Sequence, residues 1–277
     1  MKISNSSLTA IFTLVLIGGR PVFSQTITPP LTPDIRQQIE LARQYPDYFT
    51  INAASIRVTL LGVKEAPDTS YVKMQETPRD LNGVLVTIDS IVNIAQKVWN
   101  IIEANKPVVN IETKYATAYP EGVTSAAQLN SWSRPKIYSY GFYAENLFGS
   151  VMIDAKYNVN FSYNGNYKGK GKYLTAVAVI PTVASVGWGY TFNMSASVPD
   201  STIANVGSDT DPIAAVQLKL SWKMSTVLKE VDGTSVYYVQ GDGYFEEIAS
   251  PFKTREGKKA EDMRSAAPLL RAPAEVF

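Results

Sequence analysis

The clearest pattern along the chain is a regular alternation of apolar and polar residues over residues 151–163. Apolar side chains stand at the odd-numbered positions, and polar side chains such as Asp154, Lys156 and Asn158 stand between them. Successive side chains of a β-strand point to opposite faces of the sheet, so this segment predicts a strand with one face buried and the other in water.

Six more segments predict strands, from their alternation or their content of β-branched and aromatic residues, and turn signals separate them. They are residues 109–116, residues 137–142, two strands within residues 173–198, residues 216–224 and residues 236–240. The Gly-rich residues 164–172 and the Asp232-Gly233 pair are predicted turns. About seven strands in this order predict a mainly β protein, with an antiparallel, immunoglobulin-like β-sandwich over residues 107–249.

The residues before the sandwich carry a helical pattern. Apolar residues recur at intervals of three and four over residues 81–105, which predicts a long amphipathic helix packed on the sheet. A membrane-spanning helix is disfavoured because Asp89, Asn93 and Lys97 would lie near its middle. With a strand over residues 55–63, this helix forms a predicted segment of residues 54–106.

A shorter helix is predicted upstream, in a segment of residues 25–53 that begins with a Pro- and Thr-rich linker. The helix is expected to start near Pro33, because a first helical turn does not need the N–H that proline lacks. It is expected to stop before Tyr45 and Pro46. The sequence thus predicts a helical N-terminal portion attached to the sandwich.

The two ends of the chain differ from the middle. Residues 1–24 have Lys2, an apolar run of about a dozen residues and a small residue, Ser24, before a predicted cleavage point, as in a secretory signal peptide. This predicts export to the periplasm, the outer cell surface or the extracellular medium. Residues 250–277 are charged and lack alternation, so they are predicted to form a flexible tail.

Composition narrows the possible chemistry. The chain contains no Cys and no His, and its 26 basic and 25 acidic residues give a net charge of +1. Thiol catalysis, disulfides, a Ser-His-Asp triad and Cys- or His-ligated metals are therefore excluded. No cofactor or metal site is predicted, and the remaining enzymatic chemistry would have to use groups such as carboxylates, Lys, Tyr or Ser.

The first candidate site is a cationic tip in the Gly-rich turn, formed by Lys168, Lys170 and Lys172 beside Tyr167. The spacing of its glycines and lysines fails the pattern of a nucleotide-binding loop, so no nucleotide is predicted. Such a tip can contact a polyanion such as lipopolysaccharide or DNA, although no specific nucleic-acid partner is predicted. The alternative interpretation is a polar turn that only aids solubility.

The second candidate is Trp132, which lies on a polar turn in a stretch rich in aromatic residues. An exposed Trp can stack on a sugar ring or anchor a protein partner, whereas most aromatic residues in alternating strands belong to the core. Trp132 is therefore the best candidate for an exposed binding aromatic residue.

These observations favour an exported, non-enzymatic envelope or secreted protein that acts by binding or assembly. The predicted partner is a surface glycan, an envelope component or a second copy of the chain. Two alternatives stay open: a pore-forming protein whose β-hairpin inserts into a membrane, and a glycan hydrolase based on carboxylates.

The pore alternative leads to a direct test with dye-loaded vesicles. Pro181 and the Gly187/Gly189 pair interrupt the second limb of the hairpin, so we expect it to stay folded in the sandwich. The mature protein should then release no dye. Leakage that disappears in the Val159→Asp variant would instead establish membrane insertion.

Overall fold

The computed structural model describes residues 33–65, 83–108 and 114–250. The predicted signal peptide of residues 1–24 lies outside the described residues, as does nearly all of the predicted tail, from residue 251 onward. The predicted strand over residues 109–116 also falls mostly outside them.

The described residues form two α-helices, three short 3-10 helices and thirteen strands. The α-helices are α1 (Pro33–Gln44) and α2 (Pro46–Phe49). The strands are β1 (Arg57–Glu65), β2 (Thr87–Val92), β3 (Val98–Glu103), β4 (Lys106–Pro107), β5 (Ala116–Glu121), β6 (Lys136–Glu145), β7 (Val151–Tyr167), β8 (Lys170–Val186), β9 (Thr191–Ser197), β10 (Ala204–Asn205), β11 (Ala214–Ser225), β12 (Glu230–Gln240) and β13 (Phe245–Ala249).

The strands build two antiparallel sheets. The six-stranded sheet has the order β1-β6-β7-β8-β5-β2, and the seven-stranded sheet has the order β13-β12-β11-β9-β3-β4, with β10 paired to β11. The prediction of a mainly β, antiparallel protein is confirmed. Among the described residues, 107–249 hold nine strands, β5 to β13, rather than the predicted number of about seven, and β1 to β4, which begin before residue 107, extend both sheets.

The long helix predicted over residues 81–105 is wrong. The chain forms β2 and β3 there, and Asn93 makes the turn between them by accepting a hydrogen bond from the Ala95 N–H at 3.1 Å. β-Branched residues are frequent in this segment, and they favour strands over helices. The first four residues of β3 have a period of two, since Trp99 and Ile101 are buried while Asn100 is exposed. A register irregularity between Asn100 and Ile102 then allows Ile102 to be buried as well.

The short helix is found where the sequence predicts it, as α1. Pro33 opens it, Asp34 lies in its first turn and Arg43 in its last, an arrangement that complements the helix dipole. The N-terminal portion as a whole is not helical, because β1 to β4 follow.

The hairpin of β7 and β8 forms the centre of the six-stranded sheet, between β6 and β5. The predicted alternation is present over residues 153–159 of β7, where Ile153, Tyr157 and Val159 are buried. It is wrong beyond them, because Asn160 and Ser162, on the face predicted to be in water, are buried as well.

The predicted Gly-rich turn over residues 164–172 contains the observed one, which lies at Lys168 and Gly169, with positive φ angles of 52° and 80° that suit a tight turn. The predicted turn at Asp232-Gly233 is wrong, because these residues lie within β12.

Aromatic side chains fill the space between the two sheets. Phe142 of β6 contacts Phe192 of β9 and Trp222 of β11, with ring centroids 4.9 Å apart in both pairs. The hydroxyl groups of Tyr157 and Tyr237 share a buried hydrogen bond of 2.8 Å across the same space. One continuous core therefore joins the two sheets.

Burial raises the pKa of both Tyr157 and Tyr237. Because these folded-state pKa values lie above the ordinary value of about 10, the native state binds the phenol protons more tightly than the unfolded chain does. The resulting stability is fully present below about pH 10 and is lost as the pH rises further.

The tyrosine pair provides a test of the core. The Tyr157→Phe variant leaves the Tyr237 hydroxyl without this partner, so we expect the free energy of unfolding to fall by about 1–3 kcal/mol. The double variant Tyr157→Phe/Tyr237→Phe should lose less than the sum of the two single variants. Urea denaturation of the four proteins measures this coupling, and strict additivity would show that the hydrogen bond contributes nothing.

Candidate functional site

The predicted cationic tip exists as a tight turn with only part of its charge exposed. Lys168 and Lys170 are exposed, whereas Tyr167 and Lys172 are half-buried. The Lys168 Nζ lies 5.1 Å from the centroid of the Tyr167 ring, a cation–π contact within the turn.

Neighbouring groups fix this turn and reduce its positive field. The Asp211 carboxylate accepts a hydrogen bond from the Gly171 N–H at 2.9 Å, and the Pro212 carbonyl accepts one from the Lys172 N–H at 2.8 Å. Two exposed lysines beside one carboxylate leave the turn net positive, and binding of a polyanion there stays a prediction.

Trp132 is half-buried and packed rather than free to stack on a ligand. Its Nε1–H donates to the Ala126 carbonyl at 3.0 Å, and its ring lies 6.4 Å from the Tyr119 ring, centroid to centroid. The ring also covers Gly165 so closely that a Cβ added there would lie 2.3 Å from the nearest ring carbon. These contacts are those of a side chain that holds the chain in place beside β7.

A different surface, which we call the groove, offers more to a ligand. It is an open depression of about 560 Å³ on the outer face of the seven-stranded sheet, crossing β12, β11, β9 and β3. Four strands spaced about 4.8 Å apart make its floor about 14 Å across.

Strand register places a row of uncharged polar residues across the groove. Thr234 pairs with Ser221, Ser221 with Ser195, and Ser195 with Asn100, so each of the four strands contributes one residue. The Ser221 and Thr234 hydroxyl groups are 3.2 Å apart. Hydroxyl and amide groups both donate and accept hydrogen bonds, so the row can bind ligand groups that donate and ligand groups that accept.

Charged residues line one side of the groove, parallel to the polar row. The Lys223 Nζ is 2.7 Å from Glu230 Oε1, and register places Asp232 opposite Lys223. Glu103 adds a third carboxylate from β3. With three carboxylates and one ammonium group, the lining has an excess of two negative charges.

A smaller pocket of about 260 Å³ lies near α1 and α2, and it is lined only by apolar and aromatic side chains. These are Leu41, Tyr45, Tyr48, Phe49, Phe148 and Trp188. With so few hydrogen-bonding groups, this pocket can bury apolar surface but offers little to orient a polar ligand.

Within the residues that the structure describes, no group of three or more carboxylates is placed to hold a metal ion. Over the same residues, no helix is both long and apolar enough to cross a membrane.

Sequence reasoning missed the groove. Of the lining residues, the sequence singled out Asp232 and Gly233, and only as a predicted turn. The available signal was the polar residues at alternate positions of β9 and β11, which include Ser195 and Ser221, and at positions 230, 232 and 234 of β12. Their convergence depends on strand pairing between residues far apart in the chain, which the pattern alone does not show.

Comparison with known protein families, curated proteins and solved structures gives no match to this chain. The function must therefore be argued from the chemistry of the groove.

The packing of Trp132 on Gly165 can be tested by adding a methyl group. In the Gly165→Ala variant the new Cβ would collide with the indole ring, so we expect the free energy of unfolding to fall by about 1–3 kcal/mol. Gly62→Ala is the matched control, because a Cβ added there meets nothing within 4 Å. Thermal unfolding of both variants measures the difference, and equal stabilities would show that the indole ring moves aside freely.

Proposed function

We propose that this protein is an exported, non-enzymatic glycan-binding protein of the cell envelope, and that the groove binds an uncharged polysaccharide. The observation that supports this most strongly is the row formed by Thr234, Ser221, Ser195 and Asn100 along the floor of the groove. Export follows from the predicted signal peptide, and envelope glycans are the polymers that such a protein meets.

The groove has the chemistry that sugars require. A glycan presents many hydroxyl groups that both donate and accept hydrogen bonds, as do the side chains of the row. The core of a protein–protein interface is usually aromatic and poor in charge, so this charged and hydroxyl-rich floor suits a glycan better than a protein partner.

The charges of the groove select against anionic ligands. Lys223 is already paired with Glu230, and the excess carboxylates Glu103 and Asp232 would repel phosphates and uronic acids. An uncharged or amino-substituted glycan avoids this repulsion.

The three carboxylates favour one second candidate, a glycoside hydrolase. Glu230 and Asp232 line the groove two residues apart on β12, and Glu103 lines it three strands away on β3. A pair of carboxylates is the usual machinery for cleaving glycosidic bonds. Turnover of a bound oligosaccharide separates the two functions, because a binding protein leaves its ligand intact.

A substitution that fills the groove tests the proposal. Ser221 lies in the middle of the row and is exposed, so Ser221→Tyr should obstruct the floor without disturbing the core. We expect it to weaken glycan binding at least about tenfold, or about 1.4 kcal/mol. The measurement is binding of the full chain to a panel of neutral, amino-substituted and uronic polysaccharides.

The matched control is Ser185→Tyr, which adds the same bulk at an exposed serine of β8 on the other sheet. It should bind as the unmodified protein does. If no polysaccharide binds, or if Ser221→Tyr binds as tightly as the control, the groove is not a glycan site.

A further inference from the structure

Two tyrosine rings lie on the same outer face of the seven-stranded sheet, beyond the groove. Tyr238 of β12 and Tyr244, in the turn before β13, contact each other edge to face with ring centroids 6.2 Å apart. Tyr244 is 49% exposed and Tyr238 is half-buried, so the pair presents aromatic surface to solvent. We call this pair the tyrosine platform.

Hydrogen bonds hold both rings of the platform in place. The Gln240 Nε2–H donates to the Tyr238 hydroxyl oxygen at 2.9 Å, and the Tyr244 hydroxyl donates to Glu246 Oε2 at 2.8 Å. The Tyr244 N–H also donates to Asp242 Oδ1 at 3.0 Å. Rings fixed in this way are ordered before a ligand arrives, which lowers the entropic cost of binding.

The platform and the groove are connected along β12. Tyr238 and Thr234 are four residues apart on the same face of this strand, a distance of about 14 Å at about 3.4 Å per residue. Strand register places Val236 and Lys219 opposite each other between them, and Gln217 opposite Tyr238. A ligand that contacts both places must therefore lie along β12, cross the polar row at Thr234 and Ser221 rather than follow it, and be longer than a disaccharide.

We infer that the tyrosine platform is a second binding subsite of the groove, and that the ligand is an extended, uncharged β-1,4-linked glycan lying along β12. This inference rests on the proposed function of the groove. A pyranose ring has an apolar face of C–H groups that stacks on an aromatic ring, while its hydroxyl groups bind polar side chains. The linkage follows from shape, because β-1,4-linked chains are straight ribbons and α-1,4-linked chains coil away from a straight path.

The test is the dependence of affinity on ligand length. Calorimetric titration of the full chain would use cello- and chito-oligosaccharides from the disaccharide to the hexasaccharide, with malto-oligosaccharides as the coiled comparison. We expect the hexasaccharide of one β-1,4-linked series to bind at least about tenfold more tightly than its disaccharide, since stacking adds to the hydrogen bonds. The malto series should show no such gain.

Variants of Tyr244 distinguish stacking of its ring on the ligand from a purely structural role of this residue. Tyr244→Ala should remove the gain with length, and Tyr244→Phe should keep the gain because it keeps the ring. Tyr45→Ala is the matched control, since Tyr45 is 54% exposed but lies beside the apolar pocket near α1. Circular dichroism spectra and melting temperatures confirm that each variant is folded.

The outcomes distinguish this inference from the proposed function. If the hexasaccharide binds and Ser221→Tyr abolishes binding while Tyr244→Ala has no effect, the groove is a glycan site and the platform is not part of it. Affinity that does not change with length, or a gain in the malto series, would also overturn the inference. Binding of no oligosaccharide at all would overturn the groove and the platform together.

Discussion

The burial of aromatic side chains between the two sheets is the interaction on which the whole structure depends. Phe142, Phe192, Trp222 and Tyr237 are almost completely buried and come from both sheets. Each buried side chain of this size contributes roughly 1.5–3 kcal/mol, and the chain has no disulfide to add to this. Packing in the core therefore holds the two sheets together.

That packing also fixes the outer surfaces. Because the side chains of a strand alternate, burial of Phe192 and Met194 turns Asn193 and Ser195 outward, and burial of Trp222 does the same for Ser221. A register shift of one residue in any of these strands would move its polar residue into the core. The row of uncharged polar residues in the groove is thus a consequence of the aromatic core behind it.

Trp132, which the sequence favoured as an exposed binding residue, has a structural role in the fold, because its ring covers Gly165 beside β7. The tip of β7 and β8 is held by hydrogen bonds from its backbone to Asp211 and Pro212, while the side chains of Lys168 and Lys170 stay exposed. Trp132 and the tip were singled out because aromatic and cationic residues in polar turns often bind ligands. Their neighbours come from distant parts of the chain, so only the folded protein shows which of these side chains are packed and which are exposed.

The sequence by itself determined the mainly β character of the protein, the position of α1 and the strand at β7. These features depend on local signals: Pro33 at the start of α1, the Tyr45-Pro46 pair after it, and the alternation of apolar and polar residues in β7. The helix predicted over residues 81–105 was wrong, because the spacing of apolar residues there fits both a helix and strands. There β2 joins one sheet and β3 the other, a choice made by distant partners. The tertiary structure alone decided the groove and the tyrosine platform, because antiparallel pairing brings Asn100, Ser195, Ser221 and Thr234 into one row, and no local pattern encodes which strands become neighbours.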